Sequence, residues 1–365
     1  MQNLFSAGKG SRTDSLVFIV ATMKSLNRKA GEIIFGIKKL CGMAQPCRAA
    51  WIIWFIWSRY VHRLNALYSG MLMNRQGYGN LWNFRRNIHR LEKGLLYKDL
   101  KLVFADSYIQ ETVEYFSKIL SSPIIDQNTI IWGEAVLEQY FGTCQHTQKV
   151  AEAYGRYKAL NPENPRPDFI PYYAKQRPEL TVGYEALYQL ALRRRSVRSY
   201  LDKPVDLGAV EYAMRVAALA PSACNRQSFK FLFFDDREVI GKISRIPGGF
   251  TGYDAPGIVV VIGSYRGYFD ERDVDVPVID VSMAAMSFMF ALETLGLSSV
   301  CINWPSLPEK DGAIRYLIHL ENDEVVIMLI ALGYPDPEGK VTYSAKRETH
   351  CLISYNERLI DTGNA

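Results

Sequence analysis

The chain lacks most of the signatures that settle function at a glance. No run of about 18 apolar residues occurs, the length needed to cross a membrane as a helix; Ala49 to Trp57 comes nearest and is about half as long. The six cysteines, at 41, 47, 144, 224, 301 and 351, have no CxxC spacing. That fits a reducing, cytoplasmic compartment better than a disulfide scaffold. The five histidines show no metal-ligand spacing, so no metal is expected. Gly31 to Lys38 fails as a phosphate loop because Ile37 stands where lysine must follow the second glycine. No strand–GxGxxG–helix unit and no GxSxG elbow are present. The acidic run Asp270, Glu271, Asp273 and Asp275 lacks the glycine and closing glutamate of a calcium loop. No basic segment precedes the apolar Ser15 to Met23, so no secretory leader is expected.

Acidic charge is scarce in one part of the chain. Residues 1–100 hold 16 Lys and Arg against 4 Asp and Glu, a net of +12, and the remainder is −7. Such a basic arm suits an anionic partner such as lipid head groups or nucleic acid, or else the chain's own acidic half. No nucleic-acid recognition motif accompanies it, so nucleic acid is not the expected partner. Trp51, Trp54 and Trp57 recur every third residue, flanked by Arg48, Arg59 and Arg63. An interfacial helix in peripheral contact with the inner face of a membrane fits this pattern, and so does a buried helix.

With 365 residues, 48% hydrophobic and 22% charged, the chain has room for two ordinary globular units. Residues 1–14 read as a flexible tail and 15–160 as a basic, all-α region. Residues 81–160 are expected to be helical throughout, with one helical stripe through Leu102, Tyr108, Ile109, Val113, Phe116 and Leu120 stopped by Ser121-Ser122-Pro123, and a second helix from Thr129 to Tyr157. Residues 161–180 carry five prolines and read as a linker. From 181 to 357 the texture changes. Helices are expected over Tyr184 to Arg195, Leu207 to Leu219 and Val278 to Leu295, and strands over Phe229 to Phe234, Ile258 to Ile262, Val300 to Asn303 and Val325 to Leu332. Helices and strands without strict βαβ alternation favour an α+β fold over a doubly wound sheet.

Two segments carry chemistry. Arg193-Arg194-Arg195-Ser196-Val197-Arg198 sets four arginines within six residues, which repel unless an anion sits among them; guanidinium forks bind phosphate bidentately. Pro221-Ser222-Ala223-Cys224-Asn225-Arg226-Gln227 then presents amide donors and acceptors on an irregular segment before a strand, suited to the edge of a planar heterocycle.

Together these motifs resemble the FMN-dependent nitroreductase family. So do the helix from Asp280 to Gly296, Leu332-Gly333-Tyr334-Pro335, and the late basic pair Lys346-Arg347. The likeness covers about residues 180–357. It implies a three-layer α+β domain with a mixed, mainly antiparallel sheet, and an intertwined homodimer with FMN at the interface. It implies that Arg194, Arg195 and Ser196 hold the FMN phosphate and ribityl chain, with Lys346 and Arg347 completing that site. Arg198 would sit at the flavin N1–C2 edge, where a cation tunes the potential. Pro221, Ser222 and Asn225 would reach the flavin of the other subunit, supported by Gln227. Hydride would pass at flavin N5 between NADH or NADPH and a small-molecule substrate, with no separate catalytic side chain. Ser228-Phe229 depart from the family's usual Pro-Trp. Asn303-Trp304-Pro305 and Phe250 to Tyr253 are candidate pocket walls. His89-Arg90-Leu91-Glu92-Lys93-Gly94-Leu95 is similar to a segment upstream of nitroreductase domains associated with bacterial surface-polysaccharide synthesis. A competing reading is a membrane- or polyanion-associated protein whose reductase-like domain has lost its flavin and serves as a dimerisation scaffold.

Overall fold

In a computed structural model the described residues are 45–122, 126–162, 166, 168–248, 254–268 and 270–355, and the side chains of 45–55 lie outside the description. The candidate wall Phe250 to Tyr253 therefore falls entirely outside it.

The core of the C-terminal half is one sheet. β1 (Phe229–Phe234), β2 (Gly257–Ser264), β3 (Ser298–Asn303) and β4 (Glu324–Gly333) pair antiparallel in the order β1-β2-β4-β3. β2 is buried at every position, because Ile258-Val259-Val260-Val261-Ile262 is apolar on both faces and so needs a layer on each side. Side-chain alternation divides it. Ile258, Val260 and Ile262 share a core with Ile240 and Ile243 of α8 (Arg237–Arg245) and Ile314 of α10 (Pro308–Leu317). Val259 and Val261 face Val210 and Ala213 of α7 (Leu207–Ala217) and Val281, Ala285 and Phe288 of α9 (Val276–Thr294). This is a three-layer α+β domain. Helix and strand do alternate from β1 to β4, contrary to expectation. The α+β class stands on antiparallel pairing rather than on element order.

α8 and α10 were not foreseen. Each is short and carries its own start signal, the Asp236 side chain accepting from Val239 N at 2.9 Å and Pro308 in the first turn. α9 is apolar nearly all round. The stretch 271–294 that contains it has the length and hydropathy of a membrane-crossing helix, yet one side of α9 packs on the sheet.

The N-terminal half builds a separate helical core. α1 (Gln45–Met73) leads through a π turn to α2 (Asn80–Leu95), followed by α3 (Ile109–Leu120), α4 (Gln127–Thr143) and α5 (Gln148–Ala159). Phe84, Ile88 and Leu91 of α2 meet Val113 and Phe116 of α3, Leu137 and Tyr140 of α4 and Tyr157 of α5. The expected helix from Thr129 to Tyr157 is two helices, because the Thr147 hydroxyl accepts from Val150 N at 3.3 Å and starts α5 anew. In the His89 to Leu95 segment, Glu92 accepts from Trp132 Nε1 at 2.9 Å, and a Cβ on Gly94 would come within 2.2 Å of the Phe104 ring.

The two halves meet where α1 crosses the chain just after β2. A Cβ on Gly70 would stand 2.4 Å from Tyr265 C and 2.7 Å from Arg266 N, so only glycine allows that approach. Beneath it Asp323, fully buried, accepts from Ser264 Oγ at 2.6 Å and from Arg266 N and Nε at 3.0 and 2.9 Å. Burial alone would push this carboxyl up, but the Arg266 and Ser264 hydrogen bonds outweigh it and hold it below its ordinary value.

Two outcomes follow. Gly70→Val forces backbone apart at the crossing and should lower stability by about 2 kcal/mol, read as a fall in urea midpoint. A carboxyl depressed by folding stabilises above its unfolded pKa of about 3.9, and that stabilisation is lost as pH falls through the folded value. Asp323→Asn should therefore be less stable than wild type at pH 7, with the difference shrinking as pH is lowered below about 4.

Candidate functional site

The arginine segment follows α6 (Tyr184–Arg193). The helix ends two residues earlier than expected, because Arg194 turns to ψ 114 and the chain becomes extended. It then runs beside the edge strand β3. Ser196 bridges Ser299 in parallel, and Val197 N donates to Ser299 O at 3.2 Å. Arg193 Nε lies 3.4 Å from Glu293 Oε2, at the end of α9. Glu293 is buried, which raises its carboxyl, while Arg193 and Arg194 draw it back down. Arg198 Nη1 donates to Ser196 O at 2.9 Å, and the side chain lines a cavity of about 340 Å³ with Val300, Cys301, Asn303 and Pro305. Two of the three residues named as a wall thus border this cavity. Trp304 does not: it is 2% exposed and donates Nε1–H to Asp311 at 2.7 Å, as a core residue.

The amide segment lies elsewhere. Pro221 and Ser222 follow α7, and the next turn holds three non-glycine residues in the left-handed region: Cys224, Asn225 and Gln227, at φ 54, 51 and 53. Each such residue costs about 1–3 kcal/mol unless its surroundings hold it. They are held on several sides. Ser222 accepts from Asn225 N through its carbonyl at 2.9 Å and from Gln227 N through its hydroxyl at 3.1 Å. Gln227 Nε2 donates to Ala218 O at 2.6 Å. Ala223 N donates to both oxygens of Asp280 at 3.1 Å. Asp280, on α9 and 2% exposed, also accepts from Tyr268 OH at 2.8 Å; burial raises its carboxyl and those bonds oppose the rise. From the helical unit, Arg85 Nε donates to Asn225 O at 2.9 Å and Nη2 to Gln227 Oε1 at 2.8 Å. Ser228, where family members often carry proline, is buried and ties β1 to β2 by donating to Ser264 O at 2.7 Å.

Lys346 and Arg347 sit on an exposed C-terminal arm, where Arg347 Nη2 donates to Cys351 O at 3.2 Å.

One chain keeps the two motifs apart. β1 and β3 are opposite edges of the sheet, three strand spacings or about 14 Å apart. The amide segment enters β1 at Phe229, level through Gly263 with Val325, whereas Ser299 is level with Leu332. That adds about 24 Å along the strands. α9 gives a second measure, since Asp280 and Glu293 are separated by about 20 Å of helix. The sequence reading missed Asp280 and Arg85. The signal for Asp280 was a lone charge in an apolar run, Val278-Ile279-Asp280-Val281, whereas Arg85 sits in the polar run Arg85-Arg86-Asn87 and gave no such signal.

An arginine segment, an amide segment and this three-layer sheet together define an oxidoreductase domain. A model of the nitroreductase family matches residues 191–247 and 248–334. A protein of Archaeoglobus fulgidus named as an NADH dehydrogenase/NAD(P)H nitroreductase is 30% identical over 155 residues, 42% of this chain and 88% of that one. The iodotyrosine deiodinase of Thermotoga neapolitana is 26% identical over 196 residues, 47% of this chain and 97% of that one. Among solved structures, an FMN-dependent nitroreductase of Clostridium difficile is 26% identical and has a TM-score of 0.40, covering 46% of this chain and 97% of that one. The chain belongs to the nitroreductase family.

Asp280→Ala would leave the Ala223 amide and the Tyr268 hydroxyl without their acceptor. We expect a loss of about 3 kcal/mol, measured by urea unfolding at pH 7, and a smaller loss for Asp280→Asn.

Proposed function

We propose that the protein is an FMN-dependent oxidoreductase that works as a homodimer, with each flavin held between subunits. The diagonal separation of the two motifs carries this reading. Each motif is anchored by a buried carboxylate of the same helix, yet they stand at opposite corners of one chain. A second copy supplies the corner that the first lacks. The exposure of Tyr184, Leu187, Tyr188 and Leu192 on α6, and of Tyr343, Leu352, Ile353 and Tyr355 on the C-terminal arm, supports the same reading.

The residues fit FMN by their donor chemistry. Arg194, Arg195 and Ser196 provide charged and hydroxyl donors for the phosphate and ribityl chain, with Lys346 and Arg347 brought in from the arm. Arg198 supplies a fixed positive charge beside a cavity and favours negative charge that develops there. Ser222, Asn225 and Gln227, with Pro221 setting the turn, orient amide groups toward the ring edge. When bound, FMN supplies hydride transfer at N5 between NADH or NADPH and a small-molecule substrate. The protein's own part is to bind, orient and exclude water.

The free thiols at Cys144, Cys224, Cys301 and Cys351 support a cytoplasmic setting. Exposed Ile56, Trp57 and Tyr60 beside Arg59 and Arg63 support a peripheral contact of α1 with anionic lipid at the inner membrane face. Surface-polysaccharide assembly is the setting to which the His89 to Leu95 segment points.

Purified protein given FMN and freed of excess should retain close to one flavin per chain by absorbance and elute as a dimer. Arg195→Ala and Arg198→Ala should each weaken FMN binding about tenfold or more. A colourless wild-type protein that takes up no FMN overturns the reading in favour of a flavin-free scaffold.

A further inference from the structure

The helical unit reaches the proposed flavin site through Arg85. Arg85 sits on α2, 8% exposed, among the residues that close the helical core. Its guanidinium spends all three nitrogens on different partners. Nη1 donates to Thr129 Oγ1 of α4, Nη2 to Gln227 Oε1 at 2.8 Å and Nε to Asn225 O at 2.9 Å. Asp126 lies 3.7 Å from Nη1, and the Trp132 ring centroid is 5.2 Å from the guanidinium carbon. One end of the fork is thus fixed in the helical unit and the other grips Asn225 and Gln227, two of the three left-handed residues of the turn.

We propose that Arg85 is a positioning residue for the cofactor-facing loop 222–227, so that the N-terminal helical unit completes the flavin site that this loop shares with the arginine segment of the partner copy. The inference rests on the FMN reading above. Asp280 fixes the start of the loop at Ala223 from inside the sheet domain, and Arg85 fixes its end from outside. Gln227 is pinned at both ends of its amide, Nε2 by Ala218 O and Oε1 by Arg85, which settles which way the amide faces. An arginine suits the task because its planar fork holds three acceptors in one geometry, whereas a lysine at this position cannot span them.

Two measurements test this. The first needs no flavin. Hydrogen–deuterium exchange of the loop amides 223–228 should rise about tenfold or more in Arg85→Met, with the amides of β2 unchanged. The second is FMN titration of flavin-free protein, followed by quenching of flavin fluorescence at a temperature where circular dichroism matches wild type. Kd should rise about tenfold in Arg85→Met and by less in Arg85→Lys. On a Gln227→Ala background, which removes the Nη2 contact and leaves Nε to Asn225 O, the Arg85→Met penalty should be smaller than in wild type; an undiminished penalty overturns the role of the Gln227 contact.

Unchanged loop exchange overturns the proposal whatever the flavin does. Faster exchange with an unchanged Kd overturns it as well, leaving Arg85 as a docking residue only. If Arg85→Met does not fold, Arg85→Lys carries both measurements, with the same overturning outcomes. Wild-type protein that takes up no FMN refutes the proposed function, and with it the cofactor role of Arg85. The exchange result separates that failure from a failure of the loop contact.

Discussion

A carboxylate in an apolar core is costly unless donors or opposite charge meet it, and α9 carries two, thirteen residues apart. Asp280 gathers the Ala223 amide and the Tyr268 hydroxyl at one end. Glu293 pairs through Oε2 with Arg193, the first residue of the arginine segment, at the other. Between them the helix is apolar, and Val281, Ala285 and Phe288 seat it on β2. Both functional segments therefore take their position from a rigid element rather than from each other. Without its partner, each carboxylate would remain buried and charged, a cost of several kcal/mol. The fold and the site are held by the same few contacts.

The junction between the halves obeys a related rule. Gly70 lets α1 lie directly on backbone, and Asp323 holds that backbone with four donors from Ser264 and Arg266. Asn74 of the π turn also donates to Arg266 O at 2.8 Å and exchanges hydrogen bonds with Asn83. The approach is close and polar. α2 follows at once, so the placement of Arg85 depends on this crossing. The turn between α1 and α2 acts as a fixed bracket rather than a linker.

Much of the sheet was legible in the sequence because its signals are local. β1 occupies the expected residues, and β2 and β4 are apolar runs too short for helices and rich in β-branched side chains. α8 and α10 escaped because nine or ten residues of mixed polarity between strands resemble loops, although Asp236 and Pro308 mark their starts. The two chemical motifs were legible as words, since arginines in a row and a Pro-Ser-x-x-Asn-x-Gln string need no partner to be seen. What positions them was not. Asp280 is 57 residues from Ala223, and Arg85 is 140 from Asn225. No periodicity links such pairs. For Asp280 the contrast between a charge and its apolar neighbours was a hint, but that contrast names no partner, and Arg85 in its polar run gave none.

α9 also constrains how the proposed dimer can be built. Closed two-fold contact makes each copy present the same patch. Midway between Asp280 and Glu293 lies Met286, exposed, with Ile279 exposed on the same side one to two turns earlier. A two-fold axis near Met286, perpendicular to the helix, turns one α9 antiparallel to the other. The Asp280 end of one copy then lies over the Glu293 end of its partner, each about 10 Å from the axis. That operation brings the amide segment of one chain to the arginine segment of the other and generates two equal sites at once. An axis displaced by two turns toward either end would set like corners together. The equal spacing of the two anchors about the exposed centre of α9 thus fits the proposed dimer, in which one helix would serve as core, as ruler and as the meeting face of two copies.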